Sequence, residues 1–317
     1  MKQFALIGAS GYIAPRHMKA IHETGNNLVA AFDPNDSVGI MDRYFPNADF
    51  FTEFERFDRH IDKRRRAGSP IDYVSICSPN YLHDSHTRSS LRAGADAICE
   101  KPLVLNPWSL DNLIEFEEEM DNKVNTILQL RLHPSIQAIH DQYSGPGQST
   151  KAEVDLTYIT PRGNWYFHSW KGDKNKSGGI ATNIGVHFFD MLHYVFGKIQ
   201  KIEVHHASPI KTSGYLEYEN ARVRWFLSLD VNDIPDKVRA SGQLTYRSVN
   251  VDKKLIEFSN GFTDLHTSSY QEILAGNGFG LEENRTAIET VATIRNAKIC
   301  ANPDAPHPFL IRLKNEI

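Results

Sequence analysis

Cysteine is scarce in this chain. Three cysteines in 317 residues, Cys77, Cys99 and Cys300, are too few and too scattered for a disulfide framework or a zinc site. Cys77 and Cys99 lie in apolar runs and read as small buried hydrophobes, which suits a reducing compartment. Long apolar runs are missing as well. No window reaches the ~18–20 apolar residues of a membrane span. The opening run Phe4-Ala5-Leu6-Ile7 is broken by Gly8, Ser10 and Gly11, so it reads as a strand entering a turn and not as a signal peptide. Positive charge is not in excess: the formal net charge is -4, which argues against bulk nucleic-acid binding. No internal repeat or low-complexity segment stands out. The expectation is a cytoplasmic protein with neither a membrane nor a nucleic-acid partner.

What is present is ordinary globular composition, 40% hydrophobic and 23% charged, in a chain long enough for two domains. The first half alternates short apolar runs (Phe4–Ile7, Leu28–Phe32, Ile71–Ile76, Ala95–Cys99, Thr126–Leu130) with helical spacing (Ile13–Ile21, His83–Ala93, Ser109–Met120). Such βα alternation predicts a parallel sheet with helices on both faces. After about residue 130 the pattern changes. A helix over Ser135–Tyr143 is followed by the breaker Ser144-Gly145-Pro146-Gly147. Runs of alternating apolar and polar residues come next, at Ala152–Ile159, Ile199–His205, Ala221–Leu229, Arg239–Tyr246 and Lys254–Phe258, which is antiparallel patterning. Ile184–Val195 reads as a helix. Leu281–Ile299 reads as a long C-terminal helix that packs back on the first domain. The fold class expected is α/β. A dinucleotide-binding Rossmann domain over residues 1–130 precedes an α+β domain over 131–317 with a largely antiparallel open sheet, serving substrate binding and oligomerisation.

Four stretches carry chemistry. Gly8-Ala9-Ser10-Gly11-Tyr12-Ile13-Ala14 joins the first strand to the first helix. A dinucleotide pyrophosphate needs a tight turn, close backbone approach and a helix N-terminus, and small residues at 8, 11 and 14 supply them. The spacing is a variant of the usual glycine fingerprint, and its place on a strand-turn-helix is what strengthens it. Asp33 follows the second apolar run, 22 residues after Gly11, where an acidic residue bonds the adenosine ribose. Pro34-Asn35 brings no cation for a 2′-phosphate, so NAD is favoured over NADP. Ser78-Pro79-Asn80-Tyr81-Leu82-His83 and Cys99-Glu100-Lys101-Pro102 follow predicted strands, at the end of the sheet where ligands bind. Taken alone, Glu100-Lys101 reads more readily as a surface pair than a catalytic one. In the second half, Asn183, His187 and Asp190 fall at i, i+4 and i+7 of one helical face. A lone histidine on an apolar helix is most often a core residue, and no second ligand has metal-site spacing, so no metal is expected.

Together these residues resemble the glucose-fructose oxidoreductase / inositol dehydrogenase (Gfo/Idh/MocA) family, from Phe4 to about Leu192 and more loosely beyond. The specific part is the combination of the glycine turn, Pro79-Asn80-x-x-His83, Glu100-Lys101-Pro102 and Gly178-Gly179…Asn183…His187…Asp190. The resemblance implies oxidation of a sugar or polyol hydroxyl by hydride transfer to NAD. Lys101 would polarise the reacting hydroxyl, and His187 would take its proton as a neutral imidazole. Many relatives have Asp where this chain has Asn183, which removes one candidate base. The cofactor site implied comprises Gly8, Gly11, Tyr12, Ile13, Asp33, Ser78, Asn80, His83, Glu100, Lys101, Gln129 and Trp170.

Within the family, Ala9–His17, Gln129–Pro134 and Arg162-Gly163-Asn164-Trp165-Tyr166 look closest to the branch that oxidises the 3-hydroxyl of UDP-N-acetyl-glucosaminuronate in bacterial surface-polysaccharide (O-antigen) synthesis. Such a UDP-sugar carries a diphosphate and a carboxylate and needs cations and donors. Arg131, Arg162, Lys171 and Lys174 supply charge beside Trp165, Ser177, Asn183, His187 and Lys101, and these form the substrate set implied. Two other readings compete. A dehydrogenase of a neutral sugar or inositol would not need these charges. A non-catalytic NAD-sensing regulator would not need Lys101 and His187 together. The resemblance also implies a homo-oligomer, a dimer or tetramer, assembled through an apolar face of the open sheet.

Overall fold

The computed structural model describes residues 1–143, 150–256 and 264–315. The backbone divides into two compact units, residues 1–132 with 263–285, and residues 133–262 with 286–317.

In the first unit, strands β1 (Gln3–Ile7), β2 (Asn27–Phe32), β3 (Asp49–Phe51), β4 (Tyr73–Ile76), β5 (Asp96–Cys99) and β6 (Val124–Thr126) form one parallel sheet in the order β3-β2-β1-β4-β5-β6. This is the order of a Rossmann fold, with the direction of winding reversing between β1 and β4, where such sheets bind ligands at their carboxyl ends. Phe4–Ile7, Val74–Ile76 and Ala97–Cys99 are buried at every position. A parallel sheet covered on both faces demands continuous apolar runs of this kind, without alternation. Ser75 is the polar exception, with no exposed surface. It is bonded to the Tyr270 hydroxyl at 2.6 Å.

Tyr270 explains why a late segment belongs to the first unit. It lies on the helix Leu265–Leu274, which also buries His266, Ser269 and Ile273. Its ring stacks on Phe4 at 5.9 Å. Farther along, the Thr126 amide donates to the Phe279 carbonyl at 2.8 Å, so returning backbone pairs with the end of the outermost strand β6. A single cut at 130 therefore misplaces 263–285. The expected C-terminal helix is also different. Glu282–Asn284 is a 3₁₀ turn, and the helix Arg285–Asn296 lies almost wholly in the second unit. The element that returns is Leu265–Leu274. Sequence reading passed over it because His266, Ser269 and Tyr270 interrupt its buried face, and the partners of His266 and Tyr270 are distant in sequence. β6 likewise stops at Thr126, and Gln129–Leu132 is a 3₁₀ turn. An unbroken apolar run looks the same in either conformation.

The second unit carries β7 (Ala152–Ile159), β8 (Ile199–Ala207), β9 (Lys211–Tyr218), β10 (Ala221–Ser228), β11 (Tyr246–Val251) and β12 (Lys254–Ile256) in the order β12-β11-β7-β10-β9-β8. Only the β7–β10 pair is parallel. On β10, Ala221, Val223, Trp225 and Leu227 are fully buried. Trp225 meets Phe189 of the helix Val186–Phe196 edge to face at 5.4 Å. The opposite face is not the apolar surface expected from sequence. It carries Arg222 opposite Glu153 and Arg224 opposite Asp155, both ion-paired across the β7–β10 register. Its apolar part, Ile159, Phe226 and Ile234, is packed under Phe309.

Two further expectations change. β9 went unread because Gly214 interrupts it. A side chain there would stand 2.0 Å from the Glu203 carbonyl and 2.7 Å from the Trp225 ring, so only glycine lets these strands pair. The strand expected over Arg239–Tyr246 is instead the end of a short helix, Asp236–Ala240, and a turn at Gly242 with φ of 77°. Leu244 in that turn is 76% exposed. The breaker at residues 144–147 and the end of the run at Glu257–Phe258 lie outside the described residues. No helix among the described residues is long and apolar enough to cross a membrane.

His307 shows how the second unit titrates. It is buried against Phe226 and shares a hydrogen bond with Thr157 Oγ1. Burial, and then the charge of Arg224, lower its pKa from 6.5 to about 3. Protons therefore bind the unfolded chain first, and this stability is complete above pH 6.5 and erodes as pH falls toward 3. The Tm of His307→Gln should fall less between pH 7 and 4.5 than that of the natural protein. Parallel Tm curves in differential scanning fluorimetry would contradict this.

Candidate active site

The glycine turn leaves β1 with Gly8 at φ 89°. A Cβ on Gly8 would sit 2.6 Å from the Cys77 carbonyl carbon, so the turn passes β4 at backbone contact. The Gly8 amide donates to the Phe32 carbonyl of β2 at 2.8 Å. The helix Ala14–Glu23 then begins with no side-chain cap and no acidic residue in its first turn. Pro15 brings no N–H, and the Ala14 and Arg16 amides donate to the Gly11 and Ile13 carbonyls, so what this helix end offers an anion is its positive dipole end. Tyr12 is 88% exposed, and Ile13 is half-buried. Asp33 ends β2 in a buried position. One of its oxygens accepts the Ser10 amide at 3.0 Å and the other the Asn35 amide at 2.9 Å. The carboxylate thus fastens the glycine turn to the end of β2.

At the ends of β4 and β5 the predicted residues are drawn together. His83 is buried between the two loops, with Nδ1 2.7 Å from the Pro102 carbonyl and Nε2 2.8 Å from the Ser78 carbonyl; a neutral ring donates to one of these carbonyls at a time. Burial lowers its pKa against the pull of both carbonyls. The Ser78 hydroxyl is bonded to His86 Nδ1 at 2.9 Å, and Asn80 is buried in the 3₁₀ turn that follows. Past β6, Gln129 is buried with an Oε1 that has no partner among the described residues. A close-approach turn, a helix N-terminus without acidic residues and an unpaired buried acceptor suit a bound dinucleotide. Arg131 behaves otherwise than expected. It is buried, donates to the Glu283 carbonyl at 2.9 Å and lies 5.1 Å over the Phe279 ring, so its guanidinium packs within the first unit.

Sequence reading missed a buried cluster beneath Lys101. Glu100 Oε1 accepts from His17 Nε2 and from His266 Nε2, both at 3.0 Å. Glu100 Oε2 accepts the Lys101 amide at 3.2 Å. His17 Nδ1 is 2.8 Å from the Tyr270 hydroxyl, which in turn meets Ser75. Burial raises the Glu100 pKa, but the His17 and His266 hydrogen bonds outweigh it and hold the carboxyl well below the usual range. These are the residue types of a metal site, contributed by positions nearly 250 apart in sequence, a spacing that no motif signals. Lys101 itself is half-buried.

In the second unit, Asn183 and His187 are the two partly exposed positions between Ala181 and Asp190, and every other residue there is buried. Asn183 lies in a π-helical turn, Ala181–Gly185, and His187 in the first turn of Val186–Phe196. Wide turns of this kind recur at functional sites. Asp190, expected on the same face, is buried. Asn183 Nδ2 donates to the Tyr166 hydroxyl at 2.7 Å, and His187 packs on Phe188 at 4.1 Å. Lys171 Nζ lies 4.5 Å over Trp170 and 5.8 Å over the exposed Trp165. Burial, and then the charge of Arg162, lower its pKa. Ser177 is fully buried, bonded to the Asp173 carbonyl and the Gly179 amide, so it shapes the turn. Lys174 is exposed, with Nζ 3.5 Å from the Arg295 carbonyl.

Comparison with known proteins agrees with this geometry. Residues 2–127 match the NAD-binding Rossmann domain of the Gfo/Idh/MocA oxidoreductase family, and residues 147–239 match its C-terminal alpha/beta domain. The chain belongs to this family. Its cofactor is NAD. The WlbA (WbpB) dehydrogenase of Thermus thermophilus is 50% identical, with a TM-score of 0.93, over 98% of this chain and 100% of that one, and was solved with NAD and α-ketoglutarate. The same dehydrogenase was also solved with NAD and UDP-GlcNAcA, at 49% identity. WlbA of Bordetella pertussis, 16% identical with a TM-score of 0.75 over 96% of this chain and 98% of that one, shares the fold. D-glucoside 3-dehydrogenase of Escherichia coli is 26% identical over 44% of this chain and 41% of its own length. Across the curated relatives the match spans about half of their length or less, for instance 47% of a putative oxidoreductase of Bacillus subtilis.

Asp33 sets a prediction for cofactor choice. A carboxylate repels a 2′-phosphate, and the next cation in the chain is Arg43. NADP should bind at least about tenfold more weakly than NAD, roughly 1.4 kcal/mol, and Asp33→Asn should narrow the gap. Equal binding of the two by the natural protein in calorimetry would contradict this.

Proposed function

We propose that this chain is an NAD-dependent dehydrogenase that oxidises the 3-hydroxyl of UDP-N-acetyl-glucosaminuronic acid to the 3-keto sugar, in the cytoplasmic phase of bacterial surface-polysaccharide synthesis. The observation that carries the reading is 49% identity along nearly the whole chain with a dehydrogenase solved with NAD and UDP-GlcNAcA. The electrostatics of the second unit favour an anionic substrate over a neutral polyol. Arg162 and Lys171 lie close enough for the charge of one to depress the pKa of the other. A diphosphate or uronate relieves that repulsion, and an uncharged sugar does not.

Bound NAD supplies the hydride acceptor. Lys101 donates a hydrogen bond to the reacting oxygen and stabilises the negative charge that grows on it. His187, as a neutral imidazole, takes the hydroxyl proton. Asn183 orients the sugar by hydrogen bonding and cannot serve as base. The Thermus dehydrogenase was also solved with α-ketoglutarate. By the same reading a 2-oxo acid accepts the hydride and a proton in this chain, leaves as a 2-hydroxy acid and regenerates NAD.

Lys101→Met and His187→Asn should each lower kcat about 10²–10⁴-fold, the usual cost of a positioned acid-base group, with NAD affinity unchanged. Near-normal kcat in His187→Asn would transfer the proton to another acceptor. Arg162→Ala or Lys171→Ala should raise KM for the sugar nucleotide about tenfold or more, as loss of a charge-assisted bond does, again without effect on NAD. Absorbance of NADH, with and without α-ketoglutarate, tests the whole reading. Turnover of UDP-N-acetyl-glucosaminuronate is expected, and faster turnover of myo-inositol or glucose would overturn it.

A further inference from the structure

The cluster beneath Lys101 has no place in the reaction as described. It draws on the helix that follows the glycine turn (His17), the end of β5 (Glu100), the middle of β4 (Ser75) and the returning helix Leu265–Leu274 (His266, Tyr270). His17 and His266 are 0% and 1% exposed, and Glu100 is 5% exposed. We propose that His17 and His266 are positioning residues for Lys101, acting through the carboxylate of Glu100.

The argument begins with the cost of burying a carboxylate, which is several kcal/mol unless hydrogen bonds replace its water. Glu100 meets that cost with three donors. A carboxylate only accepts, so the Nε2 atoms of both histidines carry protons toward Oε1. With Oε1 held from two sides at 3.0 Å, the carboxylate cannot rotate, and Oε2 is directed at the Lys101 amide. The far side of the lysine is fastened independently, because His83 meets the carbonyl of Pro102. The backbone on both sides of Lys101 is thus fixed, while its partly exposed side chain is left to meet substrate. Hydroxyls complete the cluster: Ser75 to Tyr270, and Tyr270 to His17 Nδ1. His266 Nδ1 has no partner among the described residues, which suits a lone pair and penalises a second proton there. Burial lowers the pKa of His266 against the pull of Glu100, which favours the neutral ring. The negative charge of Glu100 then remains beside Lys101. These hydrogen bonds occupy the atoms that would otherwise ligate a metal.

The proposal rests on the reading of Lys101 as a catalytic group, so its test needs one readout with substrate and one without. His17→Leu and His266→Leu remove the donors, and His17→Gln and His266→Gln restore one at the position of Nε2. Tyr270→Phe is a milder variant that removes the partner of His17 Nδ1, and with it the contact that keeps the His17 proton on Nε2 toward Glu100, and it decides if the leucine variants do not fold. With UDP-N-acetyl-glucosaminuronate, the leucine variants should lose about 10–100-fold in kcat, with KM for NAD and sugar within about threefold. Tyr270→Phe should lose about 3–10-fold. The glutamine variants should recover most of the loss, which a role in core volume alone would not produce. Independently of substrate, the NMR signal of ¹³C-dimethylated Lys101, assigned by its absence in Lys101→Met, should shift and broaden in the leucine variants and return in the glutamine ones. An unshifted Lys101 signal in the leucine variants, or in Tyr270→Phe where they do not fold, would overturn the proposal. So would stoichiometric zinc whose chelation abolishes activity. If the natural protein does not turn over this sugar, the functional reading fails, while the Lys101 signal still decides the positioning role.

Discussion

A single buried carboxylate organises the cofactor unit. Glu100 stands at the carboxyl end of β5, and unsatisfied it would cost more than most side-chain contacts contribute. Its partners are drawn from the helix after the glycine turn and from a helix about 165 residues later. Satisfying one charge therefore brings together the start of the nucleotide-binding segment, the strand end that carries Lys101 and the returning segment 263–285. The same requirement explains two otherwise odd features of the core, a fully buried serine in the middle of β4 and a fully buried tyrosine hydroxyl against it.

The second unit meets a different electrostatic demand. Its sheet presents cross-strand ion pairs where an apolar assembly face was expected. Arg222 and Glu153 are exposed and Arg224 and Asp155 partly so, and surface pairs of this kind add little stability. Their effect is to make that face selective. A homo-oligomer formed through it would have to match charge for charge, not merely bury hydrocarbon. Arg162 and Lys171 are instead near each other with like charge, an arrangement that lowers stability and is expected where an anionic ligand supplies the missing charge.

Much of this was legible in the sequence. The short unbroken runs of β1, β4 and β5 announced a parallel sheet, and the alternation on β7 and β10 announced a sheet with one wet face. The glycine turn was legible because close backbone approach restricts it locally. What escaped was non-local. β9 is broken by Gly214 for the sake of a neighbouring strand. The helix Leu265–Leu274 buries His266 and Tyr270, whose partners lie in the first hundred residues. The packing of Arg131 on Phe279 and Glu283 has no trace in nearby sequence. For the same reason His17 and His266 gave no signal, since neither has a local pattern that marks it as a partner of Glu100.

The proton inventory of that cluster is the most direct test of this account. Nitrogen-15 NMR of the imidazoles, with His17 and His266 assigned through their glutamine variants, reports which ring nitrogens carry protons. The account predicts protonated Nε2 on both residues, and a neutral His266 with a bare Nδ1 between pH 7 and 8. A proton on His266 Nδ1 in that range, or Nε2 shifts that mark a metal ligand, would contradict it.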